Sequence, residues 1–288
     1  MAEISASMVM KLRKMSGQGM MDCKNALNEA DGSFEKAIEI LRKKGLSTLA
    51  KRAERETTEG VVVSKANNTG KVVTMAALCC ETDFVAHSDD FVAAADALAN
   101  YTLLSPVDEG IDSVLETQIG GKKFRDILTE TISKTGEKIE VGDYIRYKLD
   151  GPGLISVYIH FNKKVGAMLQ IDADDEKVAA SGVLKQAATD VAMHITAINP
   201  LALDKADIRP ERIEQEKAIF SEQVKNKPAN IIDKIVQGKL ERFFAENCLL
   251  SQAFVKDDHI TVAEVIANAG KQAGGQAKIK KFVRFGVG

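Results

Sequence analysis

The side chains best suited to covalent chemistry are the four cysteines, whose thiolates could act as nucleophiles or metal ligands. Cys79 and Cys80 are adjacent at the end of an apolar run. On a strand they would point to opposite faces, which favours reduced thiols over a disulfide. A thiol enzyme would need nearby cations to lower the thiol pKa, yet acids follow these two residues. The spacing of the four cysteines is not that of a metal site; they are Cys23, Cys79, Cys80 and Cys248.

Proton transfer would depend on the histidines, which are scattered along the chain. Each is better explained as a surface or core-edge residue than as a metal ligand or a base. The chain also lacks GxxxxGK[ST], HExxH and GxSxG motifs, and no GxGxxG follows a predicted strand. We therefore expect a protein that acts by binding, with no cofactor or metal of its own. The histidines are His87, His160, His194 and His259.

Charge and hydropathy exclude two further classes. The chain carries 39 Lys+Arg against 41 Asp+Glu, whereas a general nucleic-acid binder needs a surplus of clustered cations. No apolar run approaches the roughly 20 residues of a membrane span. The first ten residues include Glu3 and no cleavable apolar segment, so we expect no signal or transit peptide and a cytoplasmic location.

The N-terminal 45 residues predict three short helices. Met8, Val9, Leu12 and Met15 recur at helical spacing in the first, which spans 7–15. A second spans 20–30, and Asp31-Gly32 breaks it. Ser33 is a suitable N-cap for the third, which we expect to end at Gly45. The charged stretch 51–60 predicts a linker.

After this linker, the chain contains an internal repeat with an offset of about 93 residues. Residues 60–78 and 153–171 each predict two strands around a turn, followed by alanine-rich helices at 91–103 and 182–198. Each copy then continues with a short helix and a third strand: 124–133 and 138–148 in the first, 261–270 and 278–287 in the second. The pattern predicts an α+β fold with two antiparallel three-stranded sheets, each covered by helices on one face.

The second copy carries an insertion that predicts a helical hairpin. Asp207 to Lys225 forms one helix, Asn226 to Pro228 turns the chain, and Ala229 to Glu246 returns. The apolar stripe of the first helix is narrow, so the hairpin has little core of its own. Either a structural appendage or a partner-binding arm fits this pattern.

The repeat also raises a question about Phe84. It sets Glu81–His87 against Asp174–Ala180, so that Phe84 falls opposite Lys177, a position left to solvent. Thr82 is a plausible N-cap, which places Asp83 and Phe84 on the first turn of a helix. The aromatic ring then either packs locally, as a hydrophobic staple, or is presented to a partner.

Several segments resemble the bacterial translation elongation factor Ts family, namely Leu12–Leu27, Thr82–Ala86, Met193–Pro200 and Ser251–Val255. The resemblance extends over essentially the whole chain. It implies an N-terminal three-helix module similar to a ubiquitin-associated (UBA) domain, in residues 1–54. Two related subdomains would follow at 55–150 and 151–288, with a coiled-coil arm at about 207–246 in the second.

The same resemblance implies a guanine-nucleotide exchange factor that binds elongation factor Tu in its GDP-bound and nucleotide-free forms. Thr82, Asp83, Phe84 and Val85 would dislodge Mg²⁺ from the partner, so that GDP leaves. Further contacts would come from Arg13, Met20, Met21, Lys24 and His160, and the two factors could form a dimeric assembly. Core packing also explains the methionines, but an adjacent pair on one helix cannot both face inward, so we expect one to be exposed.

A different class of protein, a ubiquitin-type or other peptide-binding adaptor, would use only the N-terminal helices. It would leave both the repeat and Phe84 unexplained.

Overall fold

Helices and strands are interspersed along the chain, which the structure, a computed structural model, describes for residues 4–16, 18–51 and 55–288. The chain divides into two units. The first comprises the described residues up to Tyr147 together with 162–165 and 285–288, and the second comprises 148–161 and 166–284. In the described ranges, no helix is both long enough and apolar enough to cross a membrane. Helices combined with antiparallel strand pairs make the fold α+β, as predicted.

Three helices begin the first unit: α1 (Ala6–Ser16), α2 (Met20–Glu29) and α3 (Phe34–Lys51). They share a small core that includes Val9, Leu12, Cys23, Leu27 and Leu41. The prediction of three helices is therefore confirmed. The break after α2 is confirmed too, since Asp31 and Gly32 both have positive φ.

The end of the third helix was predicted wrongly. The third helix does not end at Gly45 but continues to Lys51, because a single interior glycine costs only about 1 kcal/mol and no proline follows it. Met15 shares the helical spacing of Val9 and Leu12 but is 56% exposed, because the buried stripe of α1 is confined to those two residues. The predicted linker lies partly outside the described residues.

A three-stranded sheet and its helices complete the first unit. Its strands lie in the order β1-β2-β5, with β1 antiparallel to β2. Phe91, Leu98, Phe124 and Ile132 pack from the helices against Leu78 of the sheet. The elements are β1 (Glu59–Ala66), β2 (Val72–Cys80), α4 (Asp83–Ala86), α5 (Asp89–Leu104), α6 (Ile111–Glu116), β3 (Gln118–Ile119), β4 (Lys122–Lys123), α7 (Phe124–Thr135) and β5 (Ile139–Lys148).

The second unit contains a second three-stranded sheet. Its order is β10-β7-β6, and β6 is antiparallel to β7. Its core includes Ile171, Leu184, Val191 and Ile266. The elements are β6 (Gly153–Ile159), β7 (Val165–Ala173), α8 (Glu176–Ala180), α9 (Gly182–Ile198), α10 (Pro210–Val224), α11 (Ala229–Asn247), β8 (Ala253–Phe254), β9 (Asp257–Thr261), α12 (Val262–Gln272) and β10 (Ala277–Gly286).

The aligned glycines of the sequence repeat occupy matching places in the two sheets. Gly60 pairs with Cys79 across one sheet, and Gly153 pairs with Asp172 across the other. A Cβ added at Gly60 would lie 2.1 Å from the Leu78 carbonyl oxygen, and one at Gly153 would lie 2.3 Å from that of Ile171. Neither position has room for a side chain, which explains why both copies have glycine there.

The helices α1–α3 are attached to α7 within the first unit. Arg42 of α3 forms an ion pair with Asp126, and the Ser133 hydroxyl donates to Oε1 of the buried Gln18 at 3.1 Å. The residues joined by these two contacts are 84 and 115 positions apart in the sequence.

The helical hairpin α10–α11 is connected to α9 by a buried polar network. The fully buried His194 donates from Nε2 to Gln252 Oε1 at 2.9 Å, while its Nδ1 accepts from the Val255 amide at 3.2 Å. Gln252 in turn donates to the Glu246 carbonyl in the last turn of α11, at 2.7 Å. Burial lowers the pKa of His194, so the imidazole is neutral.

Candidate functional site

A single-turn helix follows β2 and carries the predicted site. Thr82 is its N-cap, with an extended backbone, and its Oγ1 accepts a hydrogen bond from the Val85 amide at 3.4 Å. The helix α4 ends at Ala86, and His87 is its C-cap. Ser88 then caps α5 by accepting from the Phe91 amide at 3.4 Å. Two hydroxyl caps within seven residues thus break the chain into a short turn and a long helix.

The ring of Phe84 projects into solvent from this turn. Phe84 is 85% exposed, whereas Ala86 is only 6% exposed and Val85 packs against the core of the first unit. Successive helical residues point in different directions, so burying Val85 and Ala86 turns Phe84 outward. A hydrophobic staple is therefore excluded, and the ring is presented at the surface.

The second unit has the same turn without an aromatic residue. Asp175 is the N-cap of α8 and accepts from the Val178 amide at 2.8 Å. Val178 and Ala179 are buried, whereas Lys177 is exposed. The expected match of Phe84 with Lys177 is confirmed, because the two residues occupy equivalent positions of equivalent turns.

Asp83 presents a carboxylate next to the ring. Its side chain is exposed, and the part of the chain that the structure describes provides it with no hydrogen bond or ion pair. Its carbonyl accepts from the His87 amide at 3.1 Å and from His87 Nδ1 at 2.7 Å. The backbone is therefore fixed while the carboxylate remains available to a partner.

Two further carboxylates hold the segment that precedes α4. Glu137 accepts from the Thr82 hydroxyl at 2.6 Å and from the Thr82 amide at 3.0 Å. Glu81 accepts from the Lys138 amide at 2.6 Å and from Arg55 at 2.8 Å. Glu137 was not among the predicted site residues, because nothing in the local sequence connects it to Thr82.

The helices α1 and α2 contribute the other predicted residues of the first unit. Arg13 and Lys24 are exposed, and neither pairs with an acid among the described residues. Met20 and Met21 are 43% and 65% exposed, which confirms that the pair does not face inward and extends the expected exposure of one methionine to both. The buried stripe of α2 is formed by Cys23, Ala26 and Leu27, which leaves both methionines at the surface.

His160 belongs to the second unit, directly after β6. Its Nδ1 lies 3.2 Å from the Tyr158 hydroxyl, and its ring lies 4.4 Å from that of Phe161 between centroids. Phe161 is 88% exposed and was missed by the sequence analysis. An aromatic residue in the turn of a predicted hairpin was the available signal.

The thiols show no sign of activation. Cys79 and Cys80 are free and buried, and burial raises their pKa to about 11 and about 12. Nearby carboxylates contribute to the raised pKa of both thiols, so neither forms a thiolate near neutral pH. Nucleophilic chemistry at these residues is not supported.

One cluster in the described residues has metal-ligand atoms close together. The carboxylates of Asp257 and Asp258 and the ring of His259 have atoms within 4.8 Å of one another. All three side chains are exposed, and such surface groups are common without an ion. The cluster therefore carries no functional assignment.

Comparisons with known proteins give one consistent family. The family model described as Elongation factor TS matches residues 81–288. A protein named Elongation factor Ts from a Nitratiruptor species is 43% identical over 287 residues, covering 99% of this chain and 93% of that protein. A protein of the same name from Clostridium perfringens (strain 13 / Type A) is 40% identical over 284 residues, covering 98% of this chain and 92% of that protein. The one from Chlorobium phaeobacteroides (strain BS1) is 38% identical over 294 residues and spans both chains completely.

Proposed function

The chain belongs to the elongation factor Ts family, and from its role in translation elongation we propose a specific activity: guanine-nucleotide exchange on elongation factor Tu. The protein binds the GDP-bound partner, weakens its Mg²⁺ site and releases GDP, so that GTP can bind. It acts by binding alone and makes no covalent bond to nucleotide or partner.

The exposure of Phe84 is the observation that carries this proposal. A large apolar ring that is 85% exposed on a capped and anchored turn is poorly placed for packing and well placed to enter a pocket of another protein. In the proposed complex, Phe84 wedges into the nucleotide domain of elongation factor Tu beside its Mg²⁺ site. Thr82 and Val85 hold the turn, and Asp83 anchors it through its unpaired carboxylate.

The strict geometry of Mg²⁺ makes such a wedge effective. The ion requires nearly octahedral coordination at about 2.0–2.1 Å, so a small shift of the partner's ligands weakens it. Without the ion, the diphosphate charge is poorly compensated, and GDP dissociates. Coupling is reciprocal: GDP weakens binding of the exchange factor by the same factor, so excess nucleotide ejects it.

The remaining contacts belong to the same proposal. We assign Arg13 and Lys24 to acidic or hydrogen-bonding groups of the nucleotide domain, because both are exposed cations without a described acidic partner. Met20 and Met21 supply adaptable apolar surface. His160 contributes a contact from the second unit. The partner is bound in its GDP-bound and nucleotide-free forms, in the cytoplasm, and light scattering of the purified complex would test a dimeric assembly.

We also propose an architecture for this activity. Residues 1–54 form a UBA-like module, 55–150 and 151–288 form two subdomains of common ancestry, and the hairpin at about 207–246 is a partner-binding arm. The matching glycines and matching capped turns support the kinship of the subdomains. Superposition of 60–106 on 153–200 in an experimental structure would test it, and unlike folds would contradict it.

Release of labelled GDP from elongation factor Tu is the direct test of the function. We expect the protein to accelerate release when Mg²⁺ is present, and excess unlabelled GDP to dissociate the complex. An unchanged rate of release at saturating protein would refute the proposed exchange activity.

A further inference from the structure

The carboxylate of Glu137 receives both polar hydrogens of the residue that caps α4. The Thr82 hydroxyl donates to Oε1 at 2.6 Å, and the Thr82 amide donates to Oε2 at 3.0 Å. Glu137 lies between α7 and β5, 55 positions further along the chain. We propose that Glu137 is a positioning residue for Phe84, acting through Thr82. This inference rests on the proposed exchange function.

The two hydrogen bonds determine how Thr82 caps the helix. A threonine hydroxyl has one hydrogen to donate and lone pairs to accept with. Because Glu137 takes the hydrogen, a lone pair of the same oxygen is left facing the Val85 amide, from which it accepts at 3.4 Å. Glu137 thereby orients the cap, and the cap orients the single turn that carries Phe84. Hydrogen bonds to a charged acceptor are stronger than those between neutral groups. The added strength matters here because a single helical turn is not stable without tertiary contacts.

Comparison with the second unit separates this contact from those that the fold requires. Gly136 and Gly274 both have positive φ after equivalent helices, at 73° and 93°. In the first unit the Lys138 amide then donates to Glu81, and in the second the Gln276 amide donates to Asp174. That pair of contacts is shared, so it belongs to the common fold.

The residue between the positive-φ glycine and the donating amide differs between the two units. Glu137 corresponds to Gly275, where an added Cβ would lie 2.7 Å from a methyl carbon of Val178. The cap of α8, Asp175, accordingly forms without a carboxylate from this position. The turn can therefore be built without such a residue, and the extra carboxylate occurs in the unit whose turn carries the exposed aromatic.

A double-mutant cycle tests this role. We expect Glu137→Ala to slow stimulated GDP release by about three- to tenfold, and Glu137→Gln, which retains one acceptor, to slow it less. In a Phe84→Ala background, Glu137→Ala should cause no further loss, because its effect passes through the ring. Equal losses in both backgrounds would overturn the proposal. Glu130→Ala removes an exposed acid that pairs with Lys122 and should leave release unchanged.

A second measurement decides the inference independently of exchange activity. Hydrogen exchange at the Val85 amide reports the cap directly, and we expect Glu137→Ala to accelerate it by about tenfold or more while the core of the first unit stays protected. Unchanged exchange at Val85 would overturn the positioning role, whatever the activity of the wild-type protein. The wild-type protein could fail to stimulate GDP release from elongation factor Tu while hydrogen exchange at the Val85 amide still accelerates in Glu137→Ala. In that case the proposed function fails, and the positioning of the turn by Glu137 stands.

Discussion

Replacing Phe84 by alanine separates binding from folding. Phe84 is 85% exposed, so the protein covers only a small fraction of its surface. Full burial of such a side chain is worth about 1.5–3 kcal/mol, and the covered fraction therefore contributes less than about 0.5 kcal/mol. We expect the free energy of unfolding of Phe84→Ala, measured by urea titration, to match that of the wild-type protein within this margin.

Exchange activity should respond much more strongly. If the ring is buried in the complex that expels Mg²⁺, its loss removes about 1.5–3 kcal/mol from that state. The corresponding slowing is about ten- to a hundredfold, because each ~1.4 kcal/mol is a factor of ten. Stopped-flow release of fluorescent GDP from elongation factor Tu measures this rate. Prior chelation of Mg²⁺ should reduce the deficit of the mutant, because the step that the ring promotes has then already occurred.

A second phenylalanine provides the matched control. Phe91 is fully buried in the core of the same unit, and Phe91→Ala should destabilise the protein by about 3–5 kcal/mol. Its exchange activity per folded molecule should remain close to that of the wild-type protein. The reasoning would be refuted by the opposite result, in which Phe84→Ala unfolds easily and yet exchanges normally per folded molecule.

Three further experiments test other parts of the structure. Because burial lowers the pKa of His194, the unfolded chain binds the proton more readily, and the free energy of unfolding should fall as the pH drops below about 6.5. In urea titrations of His194→Gln, the free energy of unfolding should fall less steeply with decreasing pH. A pH profile identical to that of the wild-type protein would contradict the role of His194. Joint replacement of Cys79 by serine and Cys80 by valine should leave GDP release intact, since both thiols are protonated; a folded but inactive variant would show that a thiol is needed. Gly153→Ala should destabilise by about 1–3 kcal/mol, whereas Gly182→Ala, which meets open space at the start of α9, should be neutral or slightly stabilising; equal effects would refute the steric explanation.

Local signals in the sequence were sufficient for most of the elements. The alanine-rich helix of the second unit ends at Ile198, immediately before Asn199-Pro200, where we predicted its end. The helix α10 begins at Pro210, three residues after the predicted start at Asp207, because proline is favoured at the first helical position. The exposure of Phe84 was accessible through its alignment with Lys177, because two copies of one fold reveal which positions the scaffold leaves to solvent.

Local signals were insufficient where tertiary contacts override or replace them. Gly45 carries a stop signal, but α3 continues past it. Met15 has helical spacing, but the stripe that contacts the other two helices is narrower than the apolar pattern. The strands β3 and β4 are two residues each, too short to show an alternating pattern. The contact between Glu137 and Thr82 links residues that no spacing rule connects.

The long sequence separation in this carboxylate contact has a consequence for the order of folding. The hydrogen bonds from 81–82 to 137–138 close loops of 55 and 57 residues, and loop closure opposes such contacts until the intervening helices have packed. The native conformation of the turn that carries Phe84 should therefore form late in folding, after the sheet and α7 have packed. During synthesis, a nascent chain that has not yet extended through Lys138 lacks the anchor, so the aromatic ring becomes competent to engage a partner only when its own unit is nearly complete.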